Sequence, residues 1–290
     1  MEPVIRLIFP SNWLVCKGVV EMKAIFLDLD GTLNNDQKQI TPRTSNALIC
    51  AQKQGVKIVL ASARPSPGLY KERDILKLQN YGGILMSYNG GRIVDAATNK
   101  VLFETSMDQS QAAVILRYLE HLPVTPILDN GKQFYVTDRD GFMVDYECKN
   151  NNMVCSVVDN LAEFLNFRPV KILMSVDPEI ILSVKHEISV NLPDNLSVVQ
   201  TAPFYLEIIP AAIHKGRGLL ETCRVIDVDA NDSVAFGDAE NDIPMLKAAG
   251  VGVAMGNASD AVKMAADIIT LSNNEDGIAV WLEDNYFKYV

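Results

Sequence analysis

Positive charge is in the minority in this chain. Lys and Arg number 26 against 36 Asp and Glu, for a formal net charge of −10. The lack of a cationic excess to displace counterions argues against a general nucleic-acid binder or an anionic-membrane binder. A small phosphorylated ligand is not, because it needs only a few local donors and a cation. Cysteine is also scarce, with five in 290 residues: Cys16, Cys50, Cys148, Cys155 and Cys223. The count is odd and no Cys-x-x-Cys occurs, so neither a disulfide framework nor a structural zinc site is expected. All five read as small buried apolar residues, and a reducing, cytoplasmic compartment suits them. His121, His186 and His214 form no metal-ligand spacing. No apolar run reaches about 18 residues, so no transmembrane helix is expected. There is no internal repeat and no low-complexity segment. Residues 1–21 are mildly apolar, but Pro10, Ser11 and Asn12 interrupt the run and no small-x-small cleavage site follows. They read as an appendage from a start codon assigned too early, with Met22 directly before the first strand. An intact mass that includes Met1 in the native protein would refute this.

What is present is organised around Ala24-Ile25-Phe26-Leu27-Asp28-Leu29-Asp30-Gly31-Thr32-Leu33. Four apolar residues in a row predict a strand buried on both faces, as in a parallel sheet. Alternation along a strand directs Asp28 and Asp30 to one side. Two carboxylates at the exit of a buried strand are costly unless a metal ion or a shared proton accompanies them. After a polar loop, Thr41-Pro42 opens a helix that Gly55 closes. Strands at 56–60 and 84–88 follow, with a helix around 69–79 between them. This strand–helix rhythm predicts a parallel α/β sheet.

Between residues 92 and 209 the rhythm changes to hairpins and isolated helices. A hairpin pairs 92–94 with 101–103, and a helix runs from a Ser106 cap to Leu122. The Asn130-Gly131 turn joins strands at 126–128 and 133–137. A short helix at 161–165, a strand at 170–176, a helix at 178–190 and strands at 196–201 and 204–209 complete an inserted α+β block. The parallel rhythm then resumes. It gives a helix at 216–225, a strand at 233–236 ending in Gly237-Asp238, a helix at 243–249, a strand at 251–255, a helix at 259–266 and a last strand at 268–271.

Open α/β sheets bind ligands at the carboxyl ends of their strands. Those ends carry Asp28 and Asp30, Ser62, Asn89, Asp238 and Asn257. Singly, each has an ordinary role as a cap or turn former; their joint occurrence does not. A carboxylate can attack phosphorus, and a second carboxyl can protonate the leaving alcohol and later deprotonate water. The charge of Asp28 is expected to raise the pKa of Asp30 for that task. Asp28, Asp238 and a carbonyl near Asp30 suit Mg²⁺, which prefers a few oxygen ligands plus water and phosphate. Asp242 either supports these ligands or favours the start of the helix dipole. Asn241 is a donor to ligand or metal ligand. Lys215, at a helix entrance, can hold a phosphate. Arg64 reads as a structural ion pair and His214 as incidental.

Asp28-Leu29-Asp30-Gly31-Thr32-Leu33, Ser62, Lys215 and Gly237-Asp238-x-x-Asn241-Asp242 together resemble the four motifs of the haloacid dehalogenase superfamily. Ser-Tyr-Asn-Gly at 87–90, Leu-Glu-Ile-Ile-Pro at 206–210 and Ala-Met-Gly-Asn-Ala at 254–258 resemble its Cof-type phosphatase branch. The resemblance covers residues 22–290. It implies a Rossmann-like parallel-sheet core, in two parts at 22–104 and 206–290, with an α+β cap domain inserted at 105–205. It implies a phosphoric monoester hydrolase that uses Mg²⁺ and an aspartyl-phosphate intermediate on a small phosphorylated metabolite, most simply a sugar phosphate. Asp28 would be nucleophile and metal ligand, Asp30 acid/base with its carbonyl on the metal, and Asp238 the remaining protein ligand. Ser62, Lys215, Asn241 and amides near Leu29 and Ala63 would hold the phosphoryl group. One departure is Ser-Ala-Arg at 62–64, where the branch usually has a central glycine; Ala63 is tolerable if its φ is negative. A phosphomutase of the same superfamily and a non-enzymatic phosphate-binding regulator are the rival readings. A nicotinamide-binding protein is disfavoured, since no Gly-x-Gly-x-x-Gly follows the first strand.

Overall fold

The computed structural model describes residues 22–287, so the expectation for residues 1–21, Cys16 included, lies outside the described residues. The chain first lays down β1 (Ala24–Leu27), β2 (Lys57–Ala61), β3 (Ile84–Ser87), β4 (Arg92–Asp95) and β5 (Val101–Glu104). It continues with β6 (Thr125–Asp129), β7 (Phe134–Val136), β8 (Cys155–Val157), β9 (Ile172–Ser175), β10 (Leu196–Ala202) and β11 (Tyr205–Pro210). It ends with β12 (Ser233–Gly237), β13 (Val251–Ala254) and β14 (Ile268–Ile269).

The first sheet has the order β14-β13-β12-β1-β2-β3-β4-β5. It is parallel from β14 to β3, and β4 and β5 add an antiparallel edge. β1 lies between β12 and β2, with Ile25 beside Val234 and Ile58. Ile25 and Leu27 pack with Leu48 and Ala51 of helix Pro42–Lys53 and Leu282 of helix Gly277–Asn285. Ala24 and Phe26 pack on the other face with Leu219 and Cys223 of helix Lys215–Ile226 and Met245 of helix Ile243–Ala248. Helices on both faces explain why 24–27 is apolar without alternation. Full burial of a side chain such as Leu27 or Phe26 is worth about 1.5–3 kcal/mol, so this strand is firmly anchored.

The second sheet has the order β10-β11-β9-β6-β7-β8. Ile172, Met174, Leu206 and Ile208 face helices Gln109–Leu119 and Ile181–Asn191 through Leu116 and Ile188. Alternation turns Leu173, Tyr205 and Glu207 to the opposite face. β11 carries residues 206–210 into this sheet, where Leu206 pairs with Gln200 and Met174, as the strand expected at 204–209 of the inserted block would; the resemblance counts these residues with the core.

Local differences have local causes. The helix expected from Ser106 begins at Gln109, because Asp108 accepts from the Ser110 and Gln111 amides. The stretch 69–79 breaks into helices Tyr70–Ile75 and Leu78–Tyr81 around the left-handed Lys77. Helix Val144–Asn151 and strand β8 have no forecast in the sequence. That helix is flanked by left-handed Met143 and Asn152 rather than by a cap signal. Cys148 and Cys223 are buried and Cys155 is half-buried, but Cys50 is exposed, which corrects the expectation for it. It lies off the Leu48–Ala51 stripe of its helix. Among the described residues, no helix is long and apolar enough to cross a membrane.

Candidate active site

β1 stops at Leu27, and the Asp28 amide extends the ladder by donating to the Phe236 carbonyl at 3.2 Å. The chain then folds back on itself. Leu33 N–H donates to Asp28 O at 3.2 Å and Asn34 N–H to Leu29 O at 2.8 Å. Gly31 allows the turn at φ 87°, where a Cβ would stand 2.3 Å from Asp238 Oδ2. Asp28 and Asp30 are therefore brought to one cavity by a turn, not by strand alternation. Leu29, between them, is buried.

Lys215 is the fully buried centre of the charge cluster. Its Nζ donates to Asp28 Oδ1 at 2.5 Å and to Asp242 Oδ1 at 2.6 Å. It begins helix Lys215–Ile226, and His214 caps that helix by accepting from the Arg217 amide at 3.2 Å. His214 thus has a definite structural task. Asp242 uses both oxygens, since Oδ2 accepts from the Asp238 and Ala239 amides at 3.1 and 3.0 Å. It also stands directly before helix Ile243–Ala248. Asp238 Oδ1 accepts from Thr32 Oγ1 at 2.7 Å.

Asp28, Asp238 and Asp242 can bring one oxygen each within 4.8 Å of the others. Three carboxylates stand against one ammonium, and the imbalance is visible at Asp28 and Asp238. Burial, and then the charge of Asp242, push Asp28 up to about 7 against the pull of Lys215. Burial also raises Asp238, with Asp242 and Asp30 adding to it. Burial lowers Lys215, but Asp28 and Asp242 outweigh it and hold the ammonium above the usual lysine range. A hard divalent cation would balance this set. Asp28 and Asp238 fit it better than Asp242, which is already saturated by Lys215 and two amides.

Asp30 behaves differently from the sequence expectation. Its carboxylate receives Arg64 Nη2 at 2.6 Å and Lys38 Nζ at 2.8 Å. Burial raises it, but these two cations prevail and hold it below the ordinary range. Arg64 is an ion-pair partner as expected, yet its partner is the residue expected to be the acid/base. Ser62 is buried, its Oγ accepting from the Arg64 amide at 3.2 Å and its carbonyl from the Asn89 amide at 2.8 Å. Ala63 is not among the residues with positive φ, so the missing glycine costs nothing there. Asn241 Nδ2 donates to Asn89 Oδ1 at 3.3 Å, joining two strand-end loops. Asn257 donates to the Gly31 carbonyl at 2.8 Å and steadies the turn.

Asp28, Asp30, Ser62, Ala63 and Asn241 line one cavity of about 330 Å³. Its other wall comes from the second sheet and from helix Val144–Asn151, with Lys171, Glu207 and Glu147 among its residues. Sequence reasoning missed these three, as well as Thr32 and Lys38. Glu207 had a usable signal: a lone acid within Tyr-Leu-Glu-Ile-Ile-Pro, an otherwise apolar strand.

A parallel sheet with acids gathered at the ends of β1 and β12 defines a class. A family profile described as haloacid dehalogenase-like hydrolase matches residues 25–282, and the chain belongs to that family. It is an enzyme of the phosphatase kind. Its sequence is similar to the Bacillus subtilis 5-amino-6-(5-phospho-D-ribitylamino)uracil phosphatase YcsE, 29% identical over 90% of this chain and 94% of the relative. A haloacid dehalogenase-like hydrolase from Bacteroides thetaiotaomicron is 33% identical in sequence, with a TM-score of 0.85 over 90% of this chain and 98% of the other. TM0651 from Thermotoga maritima is 29% identical, with a TM-score of 0.81 over 90% and 97%.

Proposed function

We propose that the protein is a Mg²⁺-dependent phosphatase that releases inorganic phosphate from a small phosphorylated metabolite, a sugar phosphate in the first instance. The observation that carries the reading is Lys215 bound between Asp28 and Asp242 beneath a cavity that Asp30 also lines. Asp28, Asp238 and the Asp30 carbonyl would hold the cation, which supplies positive charge against the phosphate oxygens when bound.

In the first half-reaction an Asp28 oxygen bonds to phosphorus, the bond to the leaving alcohol breaks, and Asp30 gives that oxygen its proton. In the second, Asp30 takes a proton from water, the water oxygen bonds to phosphorus, and the Asp28 carboxylate is released with inorganic phosphate. Asp30 paired with Arg64 and Lys38 is in the ionised state that the second half requires. The first half needs those pairs to open. Lys215, Ser62, Asn241 and amides near Leu29 and Ala63 would bind the phosphoryl oxygens, and Asp242 holds Lys215 in place. The second sheet with its helices is the cap, which excludes water during the first half. A cytosolic location suits the free thiols. YcsE is named for a phosphate ester on a ribityl chain, a hydroxylated leaving group, which supports the polyhydroxylated class.

The test is phosphate release from a panel of phosphomonoesters with Mg²⁺. Asp28→Asn and Asp30→Asn should each remove most turnover while circular dichroism stays native, and EDTA should abolish it. Full turnover in either variant, or in EDTA, would refute the mechanism.

A further inference from the structure

The cap wall of the cavity contains charge that the proposed chemistry does not use. Lys171 and Glu207 are both 4% exposed, yet both line the cavity opposite Asp28 and Asp30. Lys171 Nζ donates to Glu207 Oε1 at 2.6 Å and reaches the Ala63 carbonyl at 3.4 Å, across from the cap to the loop that bears Ser62. Glu147, 6% exposed, lines the same wall and accepts from Asn151 Nδ2 at 2.9 Å. Asn151, 1% exposed, also lines the cavity, and its Oδ1 has no hydrogen-bond partner. Neighbouring strands place Glu207 across from Leu173, so the sheet face toward the cavity alternates charge and hydrocarbon. The wall therefore offers acceptor oxygens and one ammonium, and its carboxylates outnumber its ammonium two to one.

We propose that Glu147, Glu207 and Lys171 are the specificity-determining residues of the cap, selecting neutral, hydroxyl-bearing leaving groups and rejecting leaving groups that carry a second anion. Hydroxyls can donate to Glu147 and Glu207 and accept from Lys171. A carboxylate or second phosphate on the leaving group meets uncompensated negative charge in a partly desolvated space. Like charges at such a site discriminate strongly, on the order of tenfold or more. This inference rests on the phosphatase reading and deepens it.

The experiment compares matched phosphomonoesters with purified full-length protein and Mg²⁺. Glucose 6-phosphate is set against 6-phosphogluconate, and glycerol 3-phosphate against 3-phosphoglycerate. The expected kcat/KM favours the neutral member of each pair by roughly tenfold or more. Equal or reversed preference overturns the proposal. Glu147→Gln should lower the ratio several-fold, mainly by improving KM for the carboxylate ester. Removing Glu207 alone strands a buried ammonium and risks misfolding, so the Lys171→Met/Glu207→Gln double variant accompanies it. The double variant keeps the net charge of the wall and should keep the ratio while weakening turnover of the hydroxyl-bearing esters; a ratio that Glu147→Gln leaves unchanged marks a purely structural role and also overturns the proposal. p-Nitrophenyl phosphate, whose leaving group has no aliphatic hydroxyl, separates the two levels. Release from it without the predicted ratios defeats only the specificity claim. No release from any ester defeats the phosphatase reading and this inference with it.

Discussion

Gly31 shows how much one residue decides at the site. Its left-handed φ of 87° favours glycine, and Asp238 occupies the space a side chain would need. Gly31→Ala is expected to cost about 1–2 kcal/mol from backbone strain alone. It should also displace Asp238 and raise the Mg²⁺ concentration for half-maximal phosphate release. Urea denaturation and a Mg²⁺ titration of activity check the two effects, and an unchanged titration would show that Gly31 does not position Asp238. Glu147 supplies a pH test away from the metal-binding acids. Burial raises its pKa above the ordinary 4.5, against the pull of Lys171. A raised carboxyl contributes stability below its unfolded pKa and loses it as pH rises through the folded value. The Glu147→Gln variant escapes that loss. Its unfolding free energy relative to the wild type should therefore increase as pH rises from below 4.5 toward neutrality, measured by denaturation at a series of pH values.

At the scale of elements, the site depends on helix Lys215–Ile226 approaching the turn after β3 backbone to backbone. A Cβ on Gly218 would lie 2.5 Å from the Gly90 Cα. Gly218→Ala is expected to destabilise by about 1–3 kcal/mol through overpacking. It should also lower kcat, because the same helix carries Lys215. Gly55 is the control: its φ is 94°, but a methyl group there would meet nothing within 4 Å. Gly55→Ala should lose stability through strain and keep its turnover. Equal losses of turnover in the two variants would disconnect the helix contact from the site. Regular elements were largely legible, because β1, β2 and β12 are continuous apolar runs and Thr41-Pro42 is a strong cap. Helix Val144–Asn151 was not, since its first and last neighbours are left-handed non-glycines that no local pattern announces.

For the whole molecule, the excess of acid over base at the site predicts that Mg²⁺ stabilises the fold. At about 100 times its dissociation constant, a ligand that binds only the native state adds roughly 2.7 kcal/mol, a rise of several degrees in Tm. Thermal melts with Mg²⁺ and with EDTA measure it. The shift should vanish in the Asp28→Asn/Asp238→Asn double variant, and a shift that persists there would place the cation elsewhere.

The chain's own pattern determines the parallel sheet, because runs buried on both faces carry no alternation and need helices on each side. It also determines which polar residues stand at the strand ends, Asp28, Asp30, Ser62 and Asp238, and sets Lys215 at a helix entrance. Tertiary structure alone decided the partners of those acids. Lys215 lies 187 residues from Asp28 in the chain and Arg64 lies 34 from Asp30. Whether a carboxyl is raised or lowered depends on how deeply the fold buries it and on which charges it brings close, and one-dimensional spacing contains neither. The same reason hid Lys171, Glu207 and Glu147, which line the site only because the second sheet and helix Val144–Asn151 together form the opposite wall of its cavity.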